Sequence, residues 1–391
     1  MKIGIVLNNV PGYSEGFFHN KINGLINEGN QVVLFAVNSE NKKIPGWNII
    51  EPYHLPRNVF FRLISFLVVI LKLLFFKPII GLNFLKFEKK CGRDLSKAFQ
   101  NLYINAHILL EGKLDWLHFG FATAALRRES VAKVIGAKMA VSFRGYDIGI
   151  YPIIHPGCYT LLWKRVDKVH TISNDLLIKA YSLGLSKGIS VVKITPAIDC
   201  DKYFVSRDQR RSVTPNIITI ARLNWKKGLS YSILVMKKLK DQGINFKYTI
   251  VGDGEEKEHV MFMIKHFGLE DYIAFTGKVT SDKISQYLAQ NDIYFQPSVQ
   301  EGFCNSVLEA QLAGLMCVVS DAEGLSENVL DGKTGWVVKR RDVDGFVHAI
   351  LNILKISSDE RYRIVEAAQS RVRNNFSLQE QQKRFADFYN D

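Results

Sequence analysis

The sequence predicts an α/β protein made of two doubly wound halves. Three observations predict it. Short β-type runs recur with amphipathic helical stretches between them, glycine or proline turns separate the two kinds of segment, and the pattern restarts at Asn216 after Thr195-Pro196-Ala197-Ile198-Asp199. With 391 residues the chain is long enough for more than one domain, and 47% apolar content is enough for ordinary cores.

The first strand is expected over residues 2–7, followed by a Pro11-Gly12 turn, a helix over 17–27, a stop at Gly29 and a strand over 31–37. The most apolar window is 59–77, VFFRLISFLVVILKLLFFK, in which Arg62, Ser65 and Lys72 share one side at helical spacing. A bilayer span takes about 20 apolar residues with few charges, so two readings remain. One is a helix lying in a membrane interface, with Arg57, Lys72 and Lys77 meeting anionic headgroups; the other is a buried helix of the first domain. A basic helical run over 87–109 precedes a short strand ending Leu117-His118-Phe119-Gly120. The strand over 138–142 leads into Phe143-Arg144-Gly145-Tyr146-Asp147, and strands over 168–172 and 191–195 complete the half, with Ser173 capping the helix between them.

In the second half a strand over 216–221 runs into Arg222-Leu223-Asn224-Trp225-Lys226-Lys227-Gly228 and a helix. Cations at a helix N-terminus oppose its dipole by a few tenths of a kcal/mol or more. An anion between Arg222 and Lys227 would remove the conflict, and solvation would make it tolerable. Strands follow over 246–251 and 273–279, the first leading into a Gly252-Asp253-Gly254 turn. The next strand, 292–295, is broken by Pro297 and leads to Glu301-Gly302-Phe303-Cys304-Asn305, then a helix from Ser306 to a Gly314 stop and a strand over 317–320. Ligands of open α/β sheets sit where strand ends meet helix N-termini, so Glu301 and Glu309 flank a candidate mouth. Ser306 and Glu309 also fit a capping box worth about 1 kcal/mol. An amphipathic helix over 378–389 closes the chain.

A net charge of +13 calls for an acidic partner, and no nucleic-acid-binding pattern is present. Five cysteines without a Cys-x-x-Cys pair point to neither a disulfide framework nor a zinc site, and suit a reducing cytosol. The apolar run at the N-terminus reads as a strand, too short for a signal peptide.

The block 301–314, with its two glutamates eight residues apart, resembles the nucleotide-sugar signature of the large family-4 glycosyltransferases. The match continues through Asp321-Ala322-Glu323-Gly324-Leu325-Ser326-Glu327 and Asp331-Gly332-Lys333-Thr334-Gly335. Arg222 to Gly228 resembles that family's diphosphate clamp, and Pro11-Gly12-Tyr13-Ser14-Glu15-Gly16-Phe17-Phe18 is similar to the N-terminal loop of a bacterial exopolysaccharide branch. The resemblance implies the GT-B arrangement: two Rossmann-like domains facing across a cleft. The first, 1–197, would bind the acceptor and the second, 198–374, the nucleotide sugar, with a helix in 375–391 packing back on the first. It implies retaining transfer of a sugar from a nucleotide-diphosphate donor to a saccharide acceptor, lipid-linked, in exopolysaccharide, capsule or lipopolysaccharide synthesis. No metal or other cofactor is expected, and the place is the cytoplasm or the inner leaflet.

By the same resemblance Arg222 and Lys227 hold the diphosphate, Glu301 the sugar hydroxyls and Glu309 the ribose. Backbone amides of Phe303, Cys304 and Asn305 lie near the sugar or diphosphate, and Lys278 and Val279 near the base. His118, Glu301, Arg222 and Lys227 form the catalytic set, and Gly12, Ser14, Glu15, His118, Arg144 and Asp147 the acceptor side. Arg144 stands where the family commonly has histidine. A nucleotide-sugar epimerase of the same fold and a noncatalytic sugar-nucleotide-binding subunit are the rival readings.

Overall fold

The computed structural model describes residues 1–12, 16–38, 44–205 and 214–390. The chain divides into two compact units, Met1–Ile194 with Gln382–Asp391, and Thr195–Gln381. The crossover therefore falls at Ile194/Thr195, and the chain rejoins the first unit at Gln382.

The first unit is organised on a seven-stranded sheet: β1 (Lys2–Asn9), β2 (Gln31–Val37), β3 (Asn48–Ile50), β4 (Trp116–Phe119), β5 (Lys138–Phe143), β6 (Lys168–Thr171) and β7 (Ser190–Lys193), in the order β3-β2-β1-β4-β5-β6-β7. All neighbours are parallel. A parallel sheet covered on both faces wants continuous apolar runs, and β1 and β2 each bury five residues in succession. Helix α1 (Gly16–Asn27) returns the chain from β1 to β2, while β3 and β4 are joined through α2 (Val59–Phe76), α3 (Pro78–Lys90) and α4 (Leu95–Glu111).

Two expectations are corrected here. The run 87–109 is two helices: Gly92 turns the chain with φ +78°, and the Asp94 carboxylate accepts the Lys97 amide at 2.8 Å to start α4. The reading of 59–77 as a buried helix also fails, because α2 buries only Val69, Ile70 and Leu73.

The second unit repeats the plan with β8 (Asn216–Ile220), β9 (Lys247–Val251), β10 (Ile273–Gly277), β11 (Ile293–Gln296), β12 (Met316–Ser320) and β13 (Trp336–Val338), all parallel in the order β10-β9-β8-β11-β12-β13. Ile217, Phe295 and Val318 of the sheet pack with Ile233, Met236 and Ile350 of the covering helices. In each sheet the strand order reverses direction beside its first strand. That makes β1/β4 and β8/β11 the topological switch points, where crevices open at the carboxyl ends of doubly wound sheets.

The final helix, Leu378–Asn390, places Phe385, Phe388 and Tyr389 in the first unit's core with Ile5, Leu25 and Trp116. Burial of such side chains is worth about 2–3 kcal/mol each. Gln382 covers Gly24, where a Cβ would come within 2.5 Å of Gln382 Cγ.

Candidate functional site

At the β8/β11 switch point two loops are stitched together. The Lys226 carbonyl accepts the amides of Val299 (2.7 Å) and Gln300 (3.3 Å), so the loop after β8 lies along the loop after β11. Gly228 makes the approach possible: it takes φ +65°, and a Cβ there would sit 2.1 Å from the Pro297 carbonyl oxygen. The consequence is chemical. Lys227 Nζ donates to Glu301 Oε2, with both side chains largely covered. Burial works against the Lys227 ammonium, but the Glu301 carboxylate outweighs it and holds the pKa above the usual lysine value. The expectation of an uncompensated Lys227 is corrected accordingly, since Glu301 supplies the counter-charge. Arg222 is exposed on the same loop and near enough to Lys227 to lower its pKa in part.

Helix Asn305–Leu312 begins beside this pair with Cys304 at the N-cap and no side-chain cap hydrogen bond. The capping box does not form. Ser306 lies inside the helix, where it receives the Tyr294 hydroxyl (2.7 Å) and donates to the Ile220 carbonyl (3.1 Å). Phe303 packs against Phe376 with ring centres 5.7 Å apart, and the Cys304 amide is taken by Asn328 Oδ1 at 3.1 Å. Of the three backbone contacts expected, Cys304 therefore has no amide to offer. Lys278 and Val279 follow β10 at the sheet edge, two strands from β8, with Lys278 exposed.

Glu309 points toward Lys202 and Tyr203 of the short helix Cys200–Tyr203, which sequence reasoning missed because only the fold brings them close. Burial pushes its carboxyl up to about 7, against the Tyr203 hydrogen bond and the Lys202 charge. The folded chain thus keeps a proton that the unfolded chain releases near 4.5, and stability falls as pH rises between those values. Glu309→Gln is expected to stabilise the protein above pH 7 by about 2–3 kcal/mol and to change little near pH 4, read by denaturant melts at both pH values.

The first unit carries a pocket of about 380 Å³ at its own switch point. Asn8 and Asn9 close β1, Phe121 and Thr123 follow β4, and Arg144 and Tyr146 follow β5. The Arg144 guanidinium lies 3.9 Å from the Phe17 ring centre and 4.6 Å from that of Phe18. Asp147 also lines the pocket; it is buried and accepts the amides of Ala122 (3.0 Å), Arg144 (3.0 Å) and Gly145 (2.9 Å). It shapes the Arg144 loop from the wall of the pocket, with Oδ1 taking two of the three amides and Oδ2 one. Gly12 lies in the loop after β1, while Ser14 and Glu15 fall outside the described residues. The polar end of an otherwise apolar first strand was the available signal for Asn8 and Asn9.

His118 needs a larger correction. It is wholly buried and does not line this pocket. His170 Nε2 meets the Ile194 carbonyl at 2.8 Å and so must donate, which leaves its Nδ1 to accept from Ser142 (2.8 Å). Ser142 Oγ then accepts from His118 Nε2 (2.8 Å), and His118 Nδ1 accepts from the Tyr389 hydroxyl (2.6 Å). Lys21 Nζ stands 3.1 Å from the same ring. Burial first, and the Lys21 charge second, hold the His118 pKa well below the usual value. With both nitrogens in use inside the first unit, His118 links β4 to the last helix and is not exposed to the pocket.

Among the described residues no cluster of three His, Cys, Asp or Glu side chains could hold a metal ion. Residues 206–371, which include Arg222, Lys227, Glu301 and Glu309, match the family described as Glycosyl transferases group 1. The match spans 166 of the chain's 391 residues. The chain is also 30% identical over 274 residues to the Escherichia coli (strain K12) protein WcaL, named as a colanic acid biosynthesis glycosyltransferase, covering 67% of this chain and 66% of that one. It is 28% identical over 270 residues to the amylovoran biosynthesis glycosyltransferase AmsK of Erwinia amylovora, with the same coverage. The chain thus spans 66% of the length of these curated relatives. Its fold is that of the GT-B glycosyltransferases, with two Rossmann-like domains. The apo lipopolysaccharide outer core galactosyltransferase WaaB superposes with TM-score 0.70 at 17% identity, covering 99% of both chains. Anabaena Alr3699/HepE, solved with UDP and glucose, gives 0.70 at 16% identity, covering 99% of this chain and 98% of the other. The matched residues 206–371 thus lie in the unit that holds the Lys227–Glu301 pair.

Proposed function

We propose that this protein transfers a sugar, with retention, from a nucleotide-diphosphate donor to a saccharide acceptor in bacterial surface polysaccharide synthesis. The observation that carries the reading is the Lys227–Glu301 pair at the β8/β11 switch point, with Arg222 beside it and a helix N-terminus lacking a side-chain cap opening on it. Negative charge grows on the departing diphosphate, and fixed cations with helix amides stabilise it most when they are in place beforehand. Arg222 and Lys227 take that role. Glu301 fixes Lys227 and, facing the sugar, holds its hydroxyls; Glu309, in its ionised form, holds the ribose. The donor's own phosphate oxygen takes the acceptor proton, so no protein nucleophile is assigned.

The acceptor sits in the first unit's pocket, where Arg144, stacked on Phe17 and Phe18, suits a phosphate or an acidic sugar. That chemistry favours a lipid-linked saccharide reached from the cytoplasm at the inner leaflet. The relatives named for colanic acid and amylovoran biosynthesis support this reading over an epimerase or a noncatalytic subunit. The test is a screen of nucleotide sugars by calorimetry, followed by nucleotide release with polyprenyl-diphosphate saccharides. Acceptor-dependent release that survives EDTA is expected. Binding without release under every acceptor would overturn transfer, and interconversion of the donor sugar without acceptor would favour the epimerase.

A further inference from the structure

Helix α2 presents its apolar side to solvent and its polar side to the protein. Arg62 donates to the carbonyls of Pro56 (3.2 Å) and Arg57 (3.2 Å), Ser65 bonds the Tyr103 hydroxyl (2.8 Å), and Lys72 Nζ lies 5.6 Å from the Tyr53 ring centre. Meanwhile Phe60, Phe61, Leu67, Leu71 and Phe75 are 59–81% exposed, and Ile79 and Leu82 of α3 add to the exposed apolar surface. An apolar surface of this size marks an interaction site. The charges around it identify the partner. From Glu51 to Glu88 the chain contains no other acid but carries Arg57, Arg62, Lys72, Lys77 and Lys86, none in an ion pair among the described residues. A pocket of about 470 Å³ beside α2 is lined by Tyr53, Lys72, Phe76 and Lys77. Of the two acids in its wall, Glu111 is ion-paired with Lys2 (2.8 Å) and Glu51 accepts the Asn38 amide (3.3 Å), so Lys72 and Lys77 together outweigh the one carboxylate left without a counter-cation.

We infer that α2 and the start of α3 lie flat in the interface of an anionic bilayer. The exposed apolar side chains enter the acyl region, and Lys72 and Lys77 take a lipid headgroup phosphate in the pocket. A span is the wrong geometry, since Ser65 bonds Tyr103 of α4 and Val69, Ile70 and Leu73 are buried against the unit. The inference extends the lipid-linked acceptor reading by naming the surface on which the enzyme meets it, yet its test needs no sugar.

Full-length protein is co-sedimented, without donor, with phosphatidylcholine vesicles alone or with phosphatidylglycerol added. Binding at least about 10-fold stronger to the anionic vesicles, weakened by salt, is expected. Lys72→Glu with Lys77→Glu should remove most of that preference, and Phe75→Ser with Phe76→Ser should abolish binding to both vesicles. All four positions are on the surface of α2 or its end, and unchanged melting temperatures show the variants folded. Failure to bind either vesicle overturns the inference. So does a dimer in light scattering that Phe75→Ser dissolves, since the face would then meet a second copy of the chain. An unaltered anionic preference in the double glutamate variant overturns the headgroup site. Because no donor is present, a failed transferase assay leaves these outcomes standing.

Discussion

Lys227→Ala and Glu301→Ala are each expected to reduce transfer from a nucleotide sugar by at least about 100-fold. Loss of one preorganised group facing developing charge costs that much in comparable sites. The two variants should fail differently. Without Lys227 the diphosphate loses its covered counter-charge, so donor affinity and turnover fall together. Without Glu301, Lys227 keeps its charge but not its position, and burial then lowers its pKa instead of leaving it raised. Glu301→Ala should therefore add an alkaline limb to the pH profile of nucleotide release, lying below the ordinary lysine range, whereas Glu301→Gln should retain more activity by keeping a polar partner. Steady-state rates across pH, with circular dichroism to confirm folding, check this. Wild-type turnover by Lys227→Ala or Glu301→Ala would sink the assignment.

His118→Ala is expected to cost the first unit about 3 kcal/mol or more, because it leaves Ser142, Tyr389 and Lys21 facing a buried space without their partner. The pH dependence has a definite sign. His118 and His170 are depressed by burial first, and His107 is lowered to about 3 by burial and then by Arg128. Below pH about 6.5 the unfolded chain binds protons at these sites that the folded chain refuses. Stability is thus fully present above that value and is lost as pH falls, at about 1.4 kcal/mol per pH unit for each histidine. Denaturant midpoints from pH 7.5 to 5 should decline, and His118→Ala should decline less steeply. A variant that unfolds like the parent at every pH, yet loses transfer outright, would return His118 to the active site.

Local pattern carried most elements because each needs only its own residues. The strand at 31–37 and the helix ending at Asn27 stand where the apolar period placed them, and Ser173 does cap its helix, accepting the Leu176 amide at 3.4 Å. The run 87–109 was harder to read, since Cys91-Gly92 is a weak break until Asp94 is seen accepting the Lys97 amide. The candidate donor residues stood out as motifs, but their relation did not. Arg222 and Lys227 looked like an unbalanced pair of cations because the carboxylate that balances Lys227 lies 74 residues away in sequence.

The chain's order of residues was enough to establish two doubly wound halves, the restart at Asn216, and the motif-bearing loops around Lys227 and Glu301, all of which depend on local periodicity and turn chemistry. Strand order and burial were decided in three dimensions. Only the pairing of β8 with β11 puts Lys227 against Glu301, and only the return of Tyr389 to β4 turns His118 from a candidate acid-base group into a buried link. Likewise, α2 has the composition of a core helix, and whether its apolar side meets protein or solvent depends on which of its residues the neighbouring segments hydrogen-bond, a long-range property that no window of sequence contains.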